Sequence, residues 1–168
     1  MKEHKKYTDI VRLGHKTTQG VLNVGDRITI TEKIDGANFS IKYDEESDLI
    51  KAFSRQRELD FKETLRGAFT FAQSLDKELV KEVLGNNLIL FGEWLVKHSV
   101  PYPDDKYQKA YFYDVYDSVN ELYLPQNKTT EIIDKLGLLK VTTLETGVLA
   151  DKTSEIQDEI DSLNKEIE

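Results

Sequence analysis

The stretch TEKIDGANFS, residues 31–40, decides how the chain is interpreted. ITITEK, at 28–33, alternates apolar and polar side chains and is rich in Ile and Thr, which predicts a strand. Asp35 and Gly36 form a frequent turn pair, and ANFSIKY after them predicts the returning strand of a hairpin. The sequence therefore places Lys33 at a strand end, beside a tight turn that holds its neighbours in place.

Five further segments have the composition of strands. They are LIKAFS at 49–54, NLILFGEW at 87–94, AYFYDVYD at 110–117, the short ELYL after it, and LKVTTL. NLILFGEW is too apolar for an exposed edge and is predicted to be buried. HSVPYPDDKYQK carries two prolines and many polar groups, so it is predicted to be a loop.

Helical spacing marks three segments. Apolar residues recur at intervals of three and four over 61–84, which predicts one long helix with Asp60 as its N-cap and Gly85 at its end. Residues 129–136 predict a short helix that ends at Gly137. TSEIQDEIDSLNKEIE at the end of the chain also has helical spacing. With the strands, these helices predict an α+β fold in which helices pack outside antiparallel sheets.

The composition indicates an ordinary globular domain, and we expect residues 1–168 to form one. No apolar run approaches the roughly 20 residues that span a bilayer, and MKEHKKYTDI lacks the apolar stretch of a signal peptide. Without cysteine there is no disulfide, thiolate zinc site or cysteine nucleophile. A cytoplasmic location is expected. The net charge of −8 argues mildly against a nucleic-acid-coating protein, although much of the acidity lies in the tail.

Lys-x-Asp-Gly has only three fixed residues, and alone it describes a surface lysine beside a hairpin turn equally well. A larger pattern changes this balance. EKIDGANF, SRQREL, LFGEWL and YFYDVYD follow one another in this order, all near predicted strand ends. Each motif is weak, whereas the ordered set is specific.

The ordered set, over roughly residues 7–145, resembles the covalent nucleotidyltransferase superfamily of ligases and capping enzymes. The form Glu-Lys-x-x-Gly-x-Asn-Phe looks like the ATP-dependent RNA ligases of the RNA ligase 2 type, which seal nicks in duplex RNA. This resemblance implies a nucleotidyltransferase (ATP-grasp-like ligase adenylation) domain of antiparallel sheets flanked by helices. ATP would lie in a cleft between them.

The resemblance implies a reaction in which a lysine amine attacks the α-phosphorus of ATP and expels pyrophosphate. AMP then passes to a 5′-phosphate end of RNA, and a 3′-hydroxyl displaces it to seal the strand. Lys33 takes the position of this nucleophile. A protonated amine cannot attack, and the carboxylates of Asp35 and Glu93 would favour the ammonium form. We therefore expect Mg²⁺ or Mn²⁺ near Asp35 and Glu93, where it would cancel that effect and neutralise the triphosphate.

Two of the motifs imply contacts to the nucleotide around Lys33. Asn38 would help to place the nucleotide and the nick, and Glu32 would lie near the adenine, where its backbone could matter more than its carboxylate. Arg55 would contact the sugar or the 5′-phosphate end. Arg57 is close enough in sequence to be confused with it, and either could be a solvated arginine at a strand end.

The two later motifs imply a ribose and purine site. Glu93 would bind the ribose hydroxyl, since a carboxylate directly after an apolar strand rarely lacks a partner. Tyr113 would stack on the purine and Asp114 would support the site. The alternative is cross-strand packing, because alternation would put Tyr111, Tyr113 and Val115 on one face, where some of them are core.

Two motifs expected downstream are incomplete. One is a Glu-Gly pair that opens a hydrophobic strand, and the other is a Lys-x-Lys that contacts the α-phosphate. The chain stops at LNKEIE, with Glu168 about where the first glutamate would be, and Lys152 and Lys165 are poor substitutes. We therefore expect a C-terminally incomplete adenylation domain that is weak or inactive in full ligation.

Other readings remain open. An ATP-dependent DNA ligase or a capping guanylyltransferase shares Lys-x-Asp-Gly, and Asp35 is the commoner residue there. A domain of this type that has lost catalysis and binds nucleic acid or a protein is a third. The expected partner is RNA with 5′-phosphate and 3′-hydroxyl ends, but nicked duplex, tRNA, hybrid and DNA are not separated by sequence. The oligomeric state is also open.

Overall fold

The computed structural model describes residues 4–149 and 161–162. They divide into two compact units. The first contains residues 4–8 and 32–142, and the second contains 9–31, 143–149 and 161–162. Of the segment TSEIQDEIDSLNKEIE, only Asp161 and Ser162 are described, and they are helical. Within the described residues, no helix is both long and apolar enough to cross a membrane.

Strands and short helices make a mixed α+β fold, as predicted. The strands are β1 (Arg27–Thr31), β2 (Ala37–Asp44), β3 (Leu49–Ser54), β4 (Leu88–Leu95), β5 (Lys109–Asp117), β6 (Leu122–Tyr123), β7 (Leu139–Lys140) and β8 (Thr143–Val148). The α-helices are α1 (Ala68–Gln73), α2 (Lys77–Leu84) and α3 (Gln126–Lys135). In the first unit the sheet order is β3-β2-β4-β5-β6, antiparallel throughout, and β7 pairs with β5 in parallel. The second unit contains the antiparallel pair β1-β8.

The main core of the first unit forms where the helices pack on the sheet. Alternating residues of the strands supply its large side chains, among them Phe39, Ile41, Leu90, Phe112 and Val115. The helices contribute small and branched side chains, namely Ala68, Ala72, Val80, Leu84 and Ile133. Burying one large apolar side chain stabilises a fold by roughly 1.5–3 kcal/mol, so this face of the sheet is the one that holds the unit together.

The predicted hairpin on either side of Asp35 and Gly36 is wrong. β1 pairs with β8, and β2 lies between β3 and β4. A Cβ atom on Gly36 would lie 2.5 Å from the carbonyl oxygen of Trp94. Gly36 is therefore required for close packing against β4 and does not form a hairpin turn. LKVTTL is also not a single strand, because it divides between β7 and β8 in different sheets.

The predicted long helix is two short ones. Leu65 and Arg66 have positive φ angles of 49° and 55°, which are incompatible with a right-handed helix through this stretch. Asp76 starts α2 by accepting the amide of the residue three positions later, and Gly85 ends it as predicted. The carboxylate of Asp60 caps no helix; it accepts the amides two and three residues later, in a turn. The periodicity was real, but the backbone breaks twice within it.

A β-bulge in β5 changes which side chains share a face. Leu90 and Phe91 of β4 pair with Val115 and Asp114, but the next residue of β4 pairs with Phe112, so Tyr113 is the extra residue. Val115 is consequently buried in the main core. Tyr111 and Tyr113 instead pack against a second cluster, formed by Ile34, Leu95 and Val141. The expectation that Val115 lies with the two tyrosines is therefore wrong.

Replacing Gly92 by alanine is expected to destabilise the protein by about 1–3 kcal/mol, the usual cost of overpacking. A Cβ atom at Gly92 would lie 2.7 Å from Cδ1 of Phe112 and 2.8 Å from the carbonyl oxygen of Tyr111. Denaturant unfolding measures the change. Gly147→Ala is the control, since the described residues leave open space around its Cβ position, and its stability should stay within about 0.5 kcal/mol of wild type. Equal stabilities for the two variants would contradict the packing described for β4 and β5.

Candidate active site

Lys33 lies in the segment 32–36, which leads into β2 and is anchored on each side of the lysine. The Glu32 N–H donates to the carbonyl oxygen of Thr142 at 2.8 Å. Ile34 is buried in the second cluster. The Lys33 side chain between them is exposed. The backbone therefore holds its place while the amine remains accessible to a bound molecule.

Glu93 is a carboxylate that interacts with this segment. It lies on β4 opposite Asn38 of β2, and its Oε1 accepts the N–H of Gly36 at 3.2 Å. Burial raises the pKa of Glu93, and this is opposed by the Gly36 hydrogen bond and by the positive charges of Lys33 and Arg55. A partly buried carboxylate thus interacts electrostatically with the lysine and the arginine that the sequence predicts for the site.

Asp35 is used differently from Glu93. Its carboxylate accepts the N–H of Val100 at 2.8 Å and lies 2.9 Å from Nδ1 of His98. Its own N–H donates to the hydroxyl of Tyr102 at 2.9 Å. The Val100 hydrogen bond, followed by His98, holds the pKa of Asp35 below its ordinary value. Asp35 therefore fixes the loop 98–102 onto the segment that carries Lys33.

The donor set determines what kind of metal site the chain could offer. In residues 4–149 and 161–162, no group of three or more His, Asp or Glu is gathered to hold a metal ion. Mg²⁺ is commonly bound by one or two carboxylates together with water and substrate phosphates. Glu93 fits a Mg²⁺ or Mn²⁺ held in this way, whereas the Asp35 carboxylate already has two partners. The metal roles of Asp35 and Glu93 remain predictions.

Tyr113 and Asn38 are joined across the sheet. The Asn38 Nδ2 donates to the Tyr113 hydroxyl at 3.0 Å. Burial, and next the charge of Glu93, raises the pKa of Tyr113, so its phenol stays neutral. Burial also raises the pKa of Asp114 beside it. An aromatic ring, an amide and two partly buried carboxylates therefore lie in one region of the sheet.

The structure separates the two arginines of SRQREL. Arg57 donates to Oε2 of Glu63 at 2.6 Å and forms a salt bridge with it. Arg55 follows the end of β3, is exposed, and interacts electrostatically with Glu93 and Tyr113. Both arginines line a cleft of about 490 Å³, a volume typical of small-molecule sites. Of the two, Arg55 is the one associated with the other predicted site residues.

The predicted residues are therefore gathered unequally. Asn38, Arg55, Glu93 and Tyr113 interact with one another directly or electrostatically. The charge of Glu32 acts on Tyr111, whose pKa is raised by burial first and then by Asp105 and Glu32.

Sequence inspection missed two residues near the amino terminus. The Tyr7 hydroxyl donates to Oδ2 of Asp114 at 2.5 Å. The Nε2 of His4 lies 3.1 Å from the carbonyl oxygen of Arg55. An aromatic residue and a histidine within a charged segment were the available signal, but nothing local connects them to partners so far along the chain.

Comparisons with known proteins identify the family and the fold. Residues 26–168 match the RNA ligase family. An archaeal ATP-dependent RNA ligase is 23% identical, with a TM-score of 0.67 over 96% of this chain and 43% of that one. A Naegleria gruberi RNA ligase variant with ATP and Mn is 22% identical, with a TM-score of 0.64 over 91% and 46%. A putative ATP-dependent DNA ligase from Aquifex aeolicus is 19% identical, with a TM-score of 0.60 over 95% and 43%.

Because all three solved proteins are less than 25% identical to this chain, these likenesses establish the fold alone. The chain spans less than half the length of each of the three solved proteins. No curated protein is significantly similar to it in sequence.

Proposed function

The chain belongs to the RNA ligase family, and on this premise we propose that it performs the adenylation step of an ATP-dependent RNA ligase with Lys33 as the nucleophile. One observation carries the proposal. An exposed lysine, fixed by its backbone on both sides, interacts with a partly buried Glu93 whose Oε1 accepts the amide of Gly36. A lysine that is only a solvated surface residue would need neither an anchored backbone nor a partly buried carboxylate such as Glu93 near it.

In the proposed step, Nζ of Lys33 forms a bond to the α-phosphorus of ATP. The bond from that phosphorus to the bridging oxygen breaks, pyrophosphate leaves with the electron pair, and the amine gives up its protons to yield a phosphoramidate. Lys33 is exposed, so ATP can approach its amine directly. A divalent cation bound by Glu93 and the phosphates would supply positive charge that favours the neutral amine.

The other residues are proposed to bind and orient the nucleotide. Glu93 would accept a ribose hydroxyl, and Tyr113, held by Asn38, would present its ring to the purine. Arg55 would contact phosphate, since its guanidinium suits this oxygen geometry.

Strand sealing would follow adenylation. The 5′-phosphate of an RNA end would take AMP from Lys33, which breaks the P–N bond and forms a phosphoanhydride. A 3′-hydroxyl would then attack that phosphate and release AMP. The expectation that this chain seals strands weakly remains a prediction, as does the choice of RNA ends.

The test is nucleotide labelling of the purified chain with ATP, GTP or NAD in the presence of Mg²⁺ or Mn²⁺. We expect one adenylyl group per protein from ATP, removed again by pyrophosphate. A chase with nicked RNA and nicked DNA then identifies the acceptor. Labelling by GTP would indicate a capping enzyme, and transfer only to DNA ends would indicate a DNA ligase. No label and no ATP binding would overturn the proposal in favour of a domain without catalysis.

A further inference from the structure

Residues 4–8, here called the N-terminal strap, lie across one face of the first unit's sheet. The ring of His4 stacks on Phe53 of β3, with centroids 5.1 Å apart. At the other end, the N–H of Thr8 donates to the hydroxyl of Tyr123 on β6 at 3.3 Å. The strap therefore extends from one edge of the sheet order to the other.

Tyr7 is the centre of the strap. Its ring centroid lies 5.2 Å from those of Phe91 and Tyr113 and 5.7 Å from that of Tyr123. Its hydroxyl donates to Asp114 at 2.5 Å. One side chain thus contacts β4, β5 and β6 on the face where Glu93 and Tyr113 interact.

The contact with Tyr113 has a defined geometry. The two rings meet edge to face, with an interplanar angle of 72°. Asn38 holds the Tyr113 hydroxyl from β2. Tyr113 is therefore fixed at its hydroxyl by one residue and at its ring by another, which sets the plane that the ring presents.

The hydrogen bond from Tyr7 affects the charge of the Asp114 carboxyl group. Burial raises the pKa of Asp114, and the Tyr7 hydrogen bond opposes that rise by stabilising the carboxylate. Burial, followed by the bond to Asp114, raises the pKa of Tyr7, so the phenol keeps its proton and remains the donor. Tyr7 and Tyr113 are titratable side chains that interact with Asp114, and the residue opposite on β4 is the apolar Phe91.

We propose that Tyr7 is a positioning residue of the nucleotide site, orienting the ring of Tyr113 and holding the carboxylate of Asp114. The inference rests on the proposed function and deepens it, because it makes the N-terminal strap part of the adenylation site. Tyr7 does not contact the reacting atoms in this proposal; it acts through its two neighbours.

The test compares Tyr7→Phe with wild type in the rate of AMP transfer to the protein, as kcat and KM for ATP over a pH series. Phe keeps the ring contacts and removes only the hydroxyl. We expect kcat/KM to fall about tenfold, the scale for leaving a buried acceptor without its donor. The loss should grow as pH falls, because Asp114 without its donor becomes protonated at a higher pH.

Two further variants separate positioning from general stabilisation. In an Asp114→Asn background, Tyr7→Phe should have little additional effect, since the two residues act as a pair. Lys6→Gln, an exposed change within the strap, should leave kinetics and unfolding unchanged. Wild-type kinetics and pH profile for Tyr7→Phe would overturn the inference while leaving the proposed function intact. A wild-type protein that forms no adduct would overturn the proposed function and the inference together.

Discussion

Lys33→Ala is expected to abolish the transfer of AMP from ATP to the protein, a loss of more than about a thousandfold, since no other group can form the same bond from that position. Intact mass before and after incubation with ATP and a divalent cation measures it directly. The anchored backbone of Glu32 and Ile34 does not depend on the Lys33 side chain, so the variant should fold like wild type.

Lys33→Arg distinguishes the nucleophile from its charge. Arginine keeps a positive charge near Glu93 but stays protonated, so it should form no adduct. Lys62→Ala, at an exposed lysine, is the control and should be adenylated normally. An adduct that persists in Lys33→Ala would assign the attack to another lysine and refute the role proposed here.

Glu93→Gln is expected to reduce the adenylation rate by about a hundredfold without lowering stability at neutral pH. Removing one preorganised electrostatic group from an active site commonly costs this much. The glutamine oxygen can still accept the Gly36 amide, so the segment around Lys33 should keep its place. Rate measurements together with denaturant unfolding test both halves of the expectation.

The sign of the stability effect follows from burial. Burial raises the pKa of Glu93 in the folded protein above its unfolded value, so the fold loses stability as pH rises through that raised pKa. The Gln variant lacks this loss. Conversely, wild-type adenylation should decline as pH falls through the raised pKa, and this limb should be absent in Gln. A fully active Glu93→Gln would show that the charge is not needed; Glu93→Ala would then reveal whether the hydrogen bond to Gly36 is.

The positions of the strands were easier to predict from the sequence than the pairing between them. The apolar runs that became β3, β4 and β5 are local signals, and each was located correctly. The sequence predicted a hairpin at Asp35 and Gly36 in place of the pairing of β1 with β8. Gly36 is needed for its close approach to the carbonyl oxygen of Trp94, and no local pattern indicates that contact. The left-handed residues Leu65 and Arg66 carry no glycine signal, so the helical period continued across them.

The candidate site shows the same division. Asn38, Glu93 and Tyr113 were expected together from a family resemblance, and the structure assembles them. Asp114 was expected beside Tyr113 as well. The bulge that separates Val115 from the face of Tyr111 and Tyr113 was not predicted, because strict alternation was assumed. Asp35 was predicted beside a metal, and that role stays a prediction; its carboxylate also binds the loop at His98 and Val100. Contacts like these join residues that are far apart in the sequence, so no local pattern predicts them.

The N-terminal strap has a consequence for how the protein is made. Tyr7 leaves the ribosome 107 residues before its acceptor Asp114, and Thr8 precedes Tyr123 by 115 residues. Contacts this distant along the chain form late, because a long loop must close before they gain anything. The hairpin of β2 and β3 can form early in synthesis. The strap can pack only after β5 and β6 have emerged, because Tyr7 contacts Tyr113 and Tyr123 on those strands. A segment made before the sheet is therefore among the last to reach its place on it.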